Sequence, residues 1–224
     1  MGETRMELVK NPQMQKMINN HVLVVGAGGT IKEKRKEINR FLERESPVTI
    51  GINKMTEFVT PHYHLWTNRQ RYRDLGNCIK KESVMLFKGT WSKKIISKHY
   101  RGQYVPVHYV DHKGVPFGYE DGVIKGYFRT AGNLAIMIAH VMNAAKISII
   151  GMDGFTLHST QDLEKSKNQH CYGKGYTDDA IWKDCIKKDK IVDISLRELT
   201  DYGVKFKIIT PTKFTDFSDP TVLS

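Results

Sequence analysis

The sequence predicts an α/β fold: a doubly wound, mostly parallel sheet with helices on both faces and a small variable lid region. Three observations predict it. Short runs rich in Val, Ile and Leu recur without polar alternation, as strands buried on both faces read. Polar or amphipathic stretches of helical length separate several of them, so strand and helix alternate. The first apolar run passes directly into a glycine-rich turn, HVLVVGAGGT from His21 to Thr30.

Val22 to Val25 form the first predicted strand, and Gly26, Ala27, Gly28, Gly29 and Thr30 the loop at its carboxyl end. Ile31 to Arg44 is lysine-rich, with Ile31, Ile38, Phe41 and Leu42 toward one face, and reads as a helix. Its free amides and positive dipole end would point back at the loop, an anion site suited to a nucleotide phosphate. A tight strand-to-helix turn in any α/β protein also takes glycine. GxGG is not the full dinucleotide motif, and the lysine and hydroxyl of a P-loop are missing.

Ser46 to Asn53 is the second predicted strand. It ends in Asn53, whose amide both donates and accepts, as a ribose hydroxyl or a base edge requires. No acid stands where the ribose of NAD would need one. His64 to Thr67 is a third short strand, followed by Asn68 and by Arg69, Arg71 and Arg73, one of which could pair bidentately with a phosphate or carboxylate. Ser83 to Phe87 is a fourth.

Residues 88–127 are rich in glycine, tyrosine and histidine and read as a variable insertion, with a hairpin at Val105 to Val110. FRTAG, Phe128 to Gly132, opens a helix running to Ala145 that is apolar nearly all round and therefore buried. Thr130 is its natural N-cap, leaving amides near Arg129, Ala131 and Gly132 for a second phosphate. KISIIG, Lys146 to Gly151, is another buried strand, ending in Gly151, Met152 and Asp153. A last helix spans Thr177 to Tyr202, with a break expected near Asp189 where the periodicity slips. Val204 to Ile209 closes the sheet, and 211–224 reads as a loose tail. The whole chain, 1–224, is read as one domain.

Composition narrows the partners. A net charge of +11 attracts anions: nucleotides, acidic sugars, nucleic acid or an anionic membrane face. The lysines are dispersed over KEKRKE, IKKES, SKKIISK and CIKKDK, which disfavours direct nucleic-acid binding. No apolar run approaches the roughly 20 residues that span a bilayer, and MGETRMELVKNPQ lacks a signal-peptide core, so a cytoplasmic protein is expected. Cys78, Cys171 and Cys185 have neither CxxC spacing nor an even count, so no disulfide framework or zinc site is expected. His62 and His64 alternate as in some metal sites but lack a carboxylate or cysteine partner nearby, and no metal site is expected there. There is no GxSxG elbow for a nucleophilic serine.

In doubly wound sheets the ligand sits beyond the carboxyl ends of the strands, where strand order reverses. The order GAGGTIKE, IGIN, YFRTAGNLAIMIAHVMNAAKISIIGMDGF and QHCYGKGYTDD, over roughly residues 21–212, resembles the layout of the small bacterial sialyltransferases of glycosyltransferase family 42. In those enzymes a GNGPS-type loop, an asparagine after the second strand, an RITSG-type helix start, a GxDFY strand end and an HYxGH-type loop surround a CMP-sugar. The broad layout is shared by the MptE-like Rossmann nucleotide-binding proteins, so the resemblance implies a Rossmann-like fold more strongly than any one reaction.

The resemblance implies that Gly26 to Thr30, Asn53, Thr130 to Gly132 and Gly151 to Asp153 line the nucleotide, and that His170, Tyr172 and Lys174 lie near the reacting sugar. Two departures stand out: Ala27 replaces the asparagine of GNGPS, and Lys174 aligns with the histidine that serves the family as base. Lysine is protonated at neutral pH, so His170 is the better base, with Lys174, Tyr172 and Tyr176 stabilising the leaving phosphate.

The leading expectation is a glycosyltransferase of surface-glycan synthesis, with a nucleotide-sugar donor, a glycan or lipid-linked acceptor and no required cofactor. An anionic membrane contact and a homo-oligomer are further expected partners. The alternatives are an Mg²⁺-dependent nucleotide pyrophosphokinase or phosphohydrolase, with Asp153, Asp178 and Asp179 holding the metal, and a non-catalytic nucleotide-binding module.

Overall fold

The structure, a computed structural model, describes residues 8–55, 57–158, 170–172 and 182–223. Its strands are β1 (His21–Val25), β2 (Val48–Ile52), β3 (Tyr63–Trp66), β4 (Val84–Lys88), β5 (Tyr104–Asp111), β6 (Gly118–Glu120), β7 (Val123–Gly126), β8 (Lys146–Ile150) and β9 (Lys207–Ile208). They form one sheet in the order β6-β7-β5-β4-β3-β2-β1-β8-β9. Every pairing is parallel except that of β6 with β7. This is an α/β, Rossmann-like architecture. The chain builds outward from β1 on one flank and then returns to place β8 on the other, so strand order reverses between β1 and β8.

Among the described residues six α-helices flank the sheet: α1 (Thr30–Glu33), α2 (Arg35–Glu45), α3 (Arg69–Leu75), α4 (Lys93–Ile96), α5 (Ala131–Val141) and α6 (Trp182–Asp201). Alternate strand residues point to opposite faces, and the sheet sorts its core accordingly. Val22, Val24, Ile50 and Leu65 pack with α5 and with Val192, Leu196 and Leu199 of α6. Leu23 and Val25 pack with Ile38 and Phe41 of α2. Farther along that second face, Trp66, Met85 and Phe87 pack with Tyr72, Trp91, Ile96 and Tyr100.

Several local expectations are corrected. The first helix is broken at Lys34 (φ −98°, ψ 21°) into α1 and α2. Ile31 tucks beneath Gly151, where an added Cβ would come within 2.6 Å of it, while Ile38 and Phe41 bind α2 to the sheet, so the two segments answer to different contacts. Residues 105–110 form no hairpin; they lie in the single strand β5. The hairpin joins β6 to β7 through Asp121 (φ 49°) and Gly122 (φ 73°), the two left-handed residues that a type I′ turn demands. Residues 88–127 thus carry three of the nine strands among the described residues.

The last helix does not break near Asp189. The periodicity slips there because Asp189 turns to the loop after β8, accepting from the amides of Phe155 (2.6 Å) and Thr156 (3.0 Å). Nor is the C-terminal segment loose: Phe214, Phe217 and Leu223 are buried, and Arg44 donates to the Val222 carbonyl at 2.9 Å. Upstream of β1, two 3₁₀ turns (Leu8–Lys10 and Pro12–Met17) bury Leu8, Met14 and Met17. Among the described residues no helix is long and apolar enough to cross a membrane.

Candidate functional site

At the carboxyl ends of β1, β2, β3 and β8 the structure opens a cleft of about 320 Å³, at the point where strand order reverses and within the range of small-ligand sites. Each strand end contributes through its own local chemistry.

Gly26, Ala27 and Gly28 form the wall after β1. Gly26 donates to the Ile150 carbonyl (2.8 Å) and Gly28 to that of Gly151 (2.9 Å), drawing the β1 and β8 ends together. A Cβ on Gly26 would lie 2.4 Å from the Gly151 oxygen, which is why glycine stands there.

The expected phosphate site at the head of the first helix is corrected by Asp153. Its carboxylate, 3% exposed, accepts from the Thr30 amide at 2.8 Å and from the Thr30 hydroxyl. The Thr30 amide is thus taken by the protein's own anion and the Ile31 and Lys32 amides by the Gly28 and Gly29 carbonyls, and α1 is only one turn long. Gly29 and Thr30 are buried outside the cleft lining. His158 donates to the same carboxylate at 2.8 Å. That hydrogen bond, with the charges of Asp153 and Glu33, raises the His158 pKa above its ordinary value.

A carboxylate that accepts three hydrogen bonds has little capacity left for a cation, so Asp153 does not fit the Mg²⁺ role of the pyrophosphokinase alternative. Among the described residues no cluster of three or more His, Cys, Asp or Glu could hold a metal.

Asn53, after β2, is left-handed (φ 54°), a conformation asparagine tolerates better than most residues. Its carbonyl accepts from His64 Nε2. Burial drives the His64 pKa down to about 4, so this histidine is neutral and its one ring proton is committed to fixing Asn53. The Asn53 side chain is 7% exposed and lines the cleft, and its Oδ1 has no hydrogen-bond partner among the described residues. Buried polar atoms in native proteins are overwhelmingly bonded; an orphaned acceptor in a cleft wall is available to a donor that enters the cleft.

After β3, Thr67, Asn68 and Arg71 line the cleft. Asn68 caps α3 by accepting from the Arg71 amide at 3.0 Å. Arg69 is not on the cleft; its guanidinium donates to the Thr90 carbonyl at 3.2 Å. Of the three arginines in TNRQRYR, Arg71 is the one at the site.

Opposite stand Arg129, Thr130, Ala131 and Gly132 at the start of α5. Thr130 Oγ1 caps the helix by accepting from the Asn133 amide at 3.1 Å. The amides of Ala131 and Gly132, in the first turn, have no helical carbonyl to bond. The strand end after β8 adds Gly151, Met152 and Asp153, together with Gly154 and Phe155. Phe155, Val192 and Phe214 supply an apolar wall that the sequence reading missed. Phe155 was within reach, two residues beyond the motif Gly151 to Asp153; Val192 and Phe214 were not, because they arrive from α6 and from the C-terminal segment.

His170 also lines the cleft. It forms a β-bridge with Gly28, and its neighbour Cys171 donates to the Ala27 carbonyl at 2.9 Å. Tyr172 is not in the lining; its ring stacks on that of His170 at 5.0 Å and 10°. Burial pushes the Cys171 thiol up to about 12, leaving it unreactive. Lys174, Tyr176, Asp178 and Asp179 lie outside the described residues.

No known protein family matches this chain, and no curated protein matches it.

Proposed function

We propose that the cleft binds a nucleotide-activated sugar and that the protein is a glycosyltransferase using it as donor. The observation that carries this reading is the orphaned Oδ1 of Asn53, buried in the cleft that Ala131 and Gly132 also line, where their first-turn amides have no helical carbonyl to bond. Ile52, the neighbour of Asn53, approaches Gly132 closely: an added Cβ there would sit 3.8 Å from its Cδ1. A neutral acceptor suits a ribose hydroxyl or an exocyclic amine. Amides flanked by Arg71 and Arg129 suit a phosphate. One small cleft that offers both is complementary to a nucleotide.

His170 supplies the base. With its backbone bridged to the glycine loop and its ring stacked on Tyr172, it is held beside the cleft. It takes the proton from the acceptor hydroxyl as that oxygen bonds to the anomeric carbon and the nucleotide phosphate departs. The departing charge is met by the α5 amides and the two arginines. The resemblance to family 42 favours a CMP-linked acidic sugar; Ala27, where that family has asparagine, removes one nucleotide contact.

A thermal-shift panel of CMP, CMP-sialic acid, UDP-sugars, ATP and NAD, with and without Mg²⁺, tests the reading. Stabilisation by a cytidine nucleotide without metal supports it, and Asn53→Gly, which keeps the left-handed backbone, should weaken that binding about tenfold. A response to ATP only with Mg²⁺ would replace it by the phosphotransfer alternative. Silence from every nucleotide would remove the premise. With a donor in hand, His170→Gln should abolish turnover and spare donor affinity.

A further inference from the structure

The charge of this protein is concentrated on one side. Residues 69–101 contain ten Lys and Arg against two acids, Asp74 and Glu82, so this stretch holds +8 of the net +11. It packs as a single layer. The Tyr72 hydroxyl donates to the Ile96 carbonyl at 2.6 Å, His99 Nε2 meets the Arg73 carbonyl at 3.0 Å, and Arg69 reaches the Thr90 carbonyl. These bonds tie α3 to α4 and the loops beside them over one face of β3 and β4. Arg69, Arg73, Lys80, Lys81, Lys93, Lys94, Lys98 and Arg101 are exposed on its outside. The opposite layer is neutral: α5 holds no Lys, Arg, Asp or Glu, and α6 carries five cations and five acids.

We propose that this layer is a docking surface for an anionic lipid membrane. Its cations are spread over two helices and two loops, which matches a broad, delocalised negative plane. Its aromatic rings face inward: Tyr72, Phe87, Trp91 and Tyr100 are all buried. The layer therefore offers no platform for stacking nucleic-acid bases. The large exposed apolar side chains, Val110, Ile186, Ile194 and Tyr202, lie outside it, so attachment is electrostatic, without insertion, and is screened by salt. The cation at one edge of the layer, Arg71, is also an edge of the cleft. The surface is read from charge and packing alone and stands whether or not the cleft transfers sugar.

Sedimentation with phosphatidylcholine vesicles, with and without a phosphatidylglycerol fraction and across a salt series, tests this on the full chain. The expected result is partitioning onto the anionic vesicles only, reversed by salt. Replacing Lys80, Lys81, Lys93 and Lys94 together by Gln should cut partitioning by about 600-fold, taking about fivefold per cation near the surface. Replacing Lys183, Lys187, Lys190 and Lys205 by Gln removes the same charge elsewhere and should leave most of it. The proposal is overturned by no binding to anionic vesicles at low salt, by equal losses in the two variants, or by tighter binding to a duplex oligonucleotide than to the vesicles. The salt series on the unmodified protein decides the matter should a variant misfold.

Discussion

Replacing Gly28 by Ala tests the most constrained contact at the cleft. An alanine Cβ there would lie 2.3 Å from the Asp153 carboxyl carbon and 2.4 and 2.5 Å from its oxygens. A flexible side chain would swing away at little cost, but this one is held by the Thr30 amide, the Thr30 hydroxyl and His158. Moving it breaks charge-assisted bonds worth about 1.5–3 kcal/mol each, partly recovered by local adjustment, so Gly28→Ala should cost about 3 kcal/mol. That is a large share of the ~5–15 kcal/mol total of a native protein. In an Asp153→Ala background the obstruction is gone, and Gly28→Ala should cost under about 0.5 kcal/mol. Urea unfolding of the four proteins in this cycle, with Gly118→Ala as a control whose Cβ meets nothing within 4 Å, measures the coupling. Equal costs of Gly28→Ala in both backgrounds would refute the argument that Asp153 occupies the head of α1.

Three further outcomes follow from the same reasoning. His64 titrates near 4 when folded against about 6.5 when unfolded, so between these values the unfolded chain binds the additional proton; acidification from pH 7 to pH 4 should cost about 3 kcal/mol through this residue. His64→Gln should flatten that slope in denaturant titrations, and an unchanged slope would exclude His64 as its source. His158 works in the opposite sense: its raised pKa makes its stabilisation complete below pH ~6.5 and lost as pH rises through the folded value, so the melting temperatures of His158→Gln and the unmodified protein should converge on going from pH 5.5 to pH 8.5. Phe217 is buried and stacks on Phe206 at 5.4 Å; Phe217→Ala should destabilise by about 3 kcal/mol, and a loss below about 1 kcal/mol in urea unfolding would show that the C-terminal segment contributes little.

The buried strands were legible because apolar runs of the right length declare themselves: β1, β2, β3, β4 and β8 each fall within a residue or two of expectation. So were the cleft's strand-end residues, since a doubly wound sheet always presents those positions together. The misreadings share one cause. The Asp121–Gly122 turn was written in the chain, but Val105–Val110 drew the hairpin because β-propensity says nothing about which strands pair. Asp189 looked like a helix break because periodicity cannot show that a polar side chain has been turned inward to serve a distant loop.

The sequence alone determined the layers of this protein and the rim on which its cleft is built, because burial patterns and strand ends are local properties. Only the tertiary structure decided how that rim is used. It filled the head of α1 with Asp153, sent Arg69 away and Arg71 toward the cleft, and left Asn53 with an acceptor and no donor. Each of these outcomes depends on residues far apart in the chain meeting across the sheet, and no reading of neighbours along the sequence contains that distance.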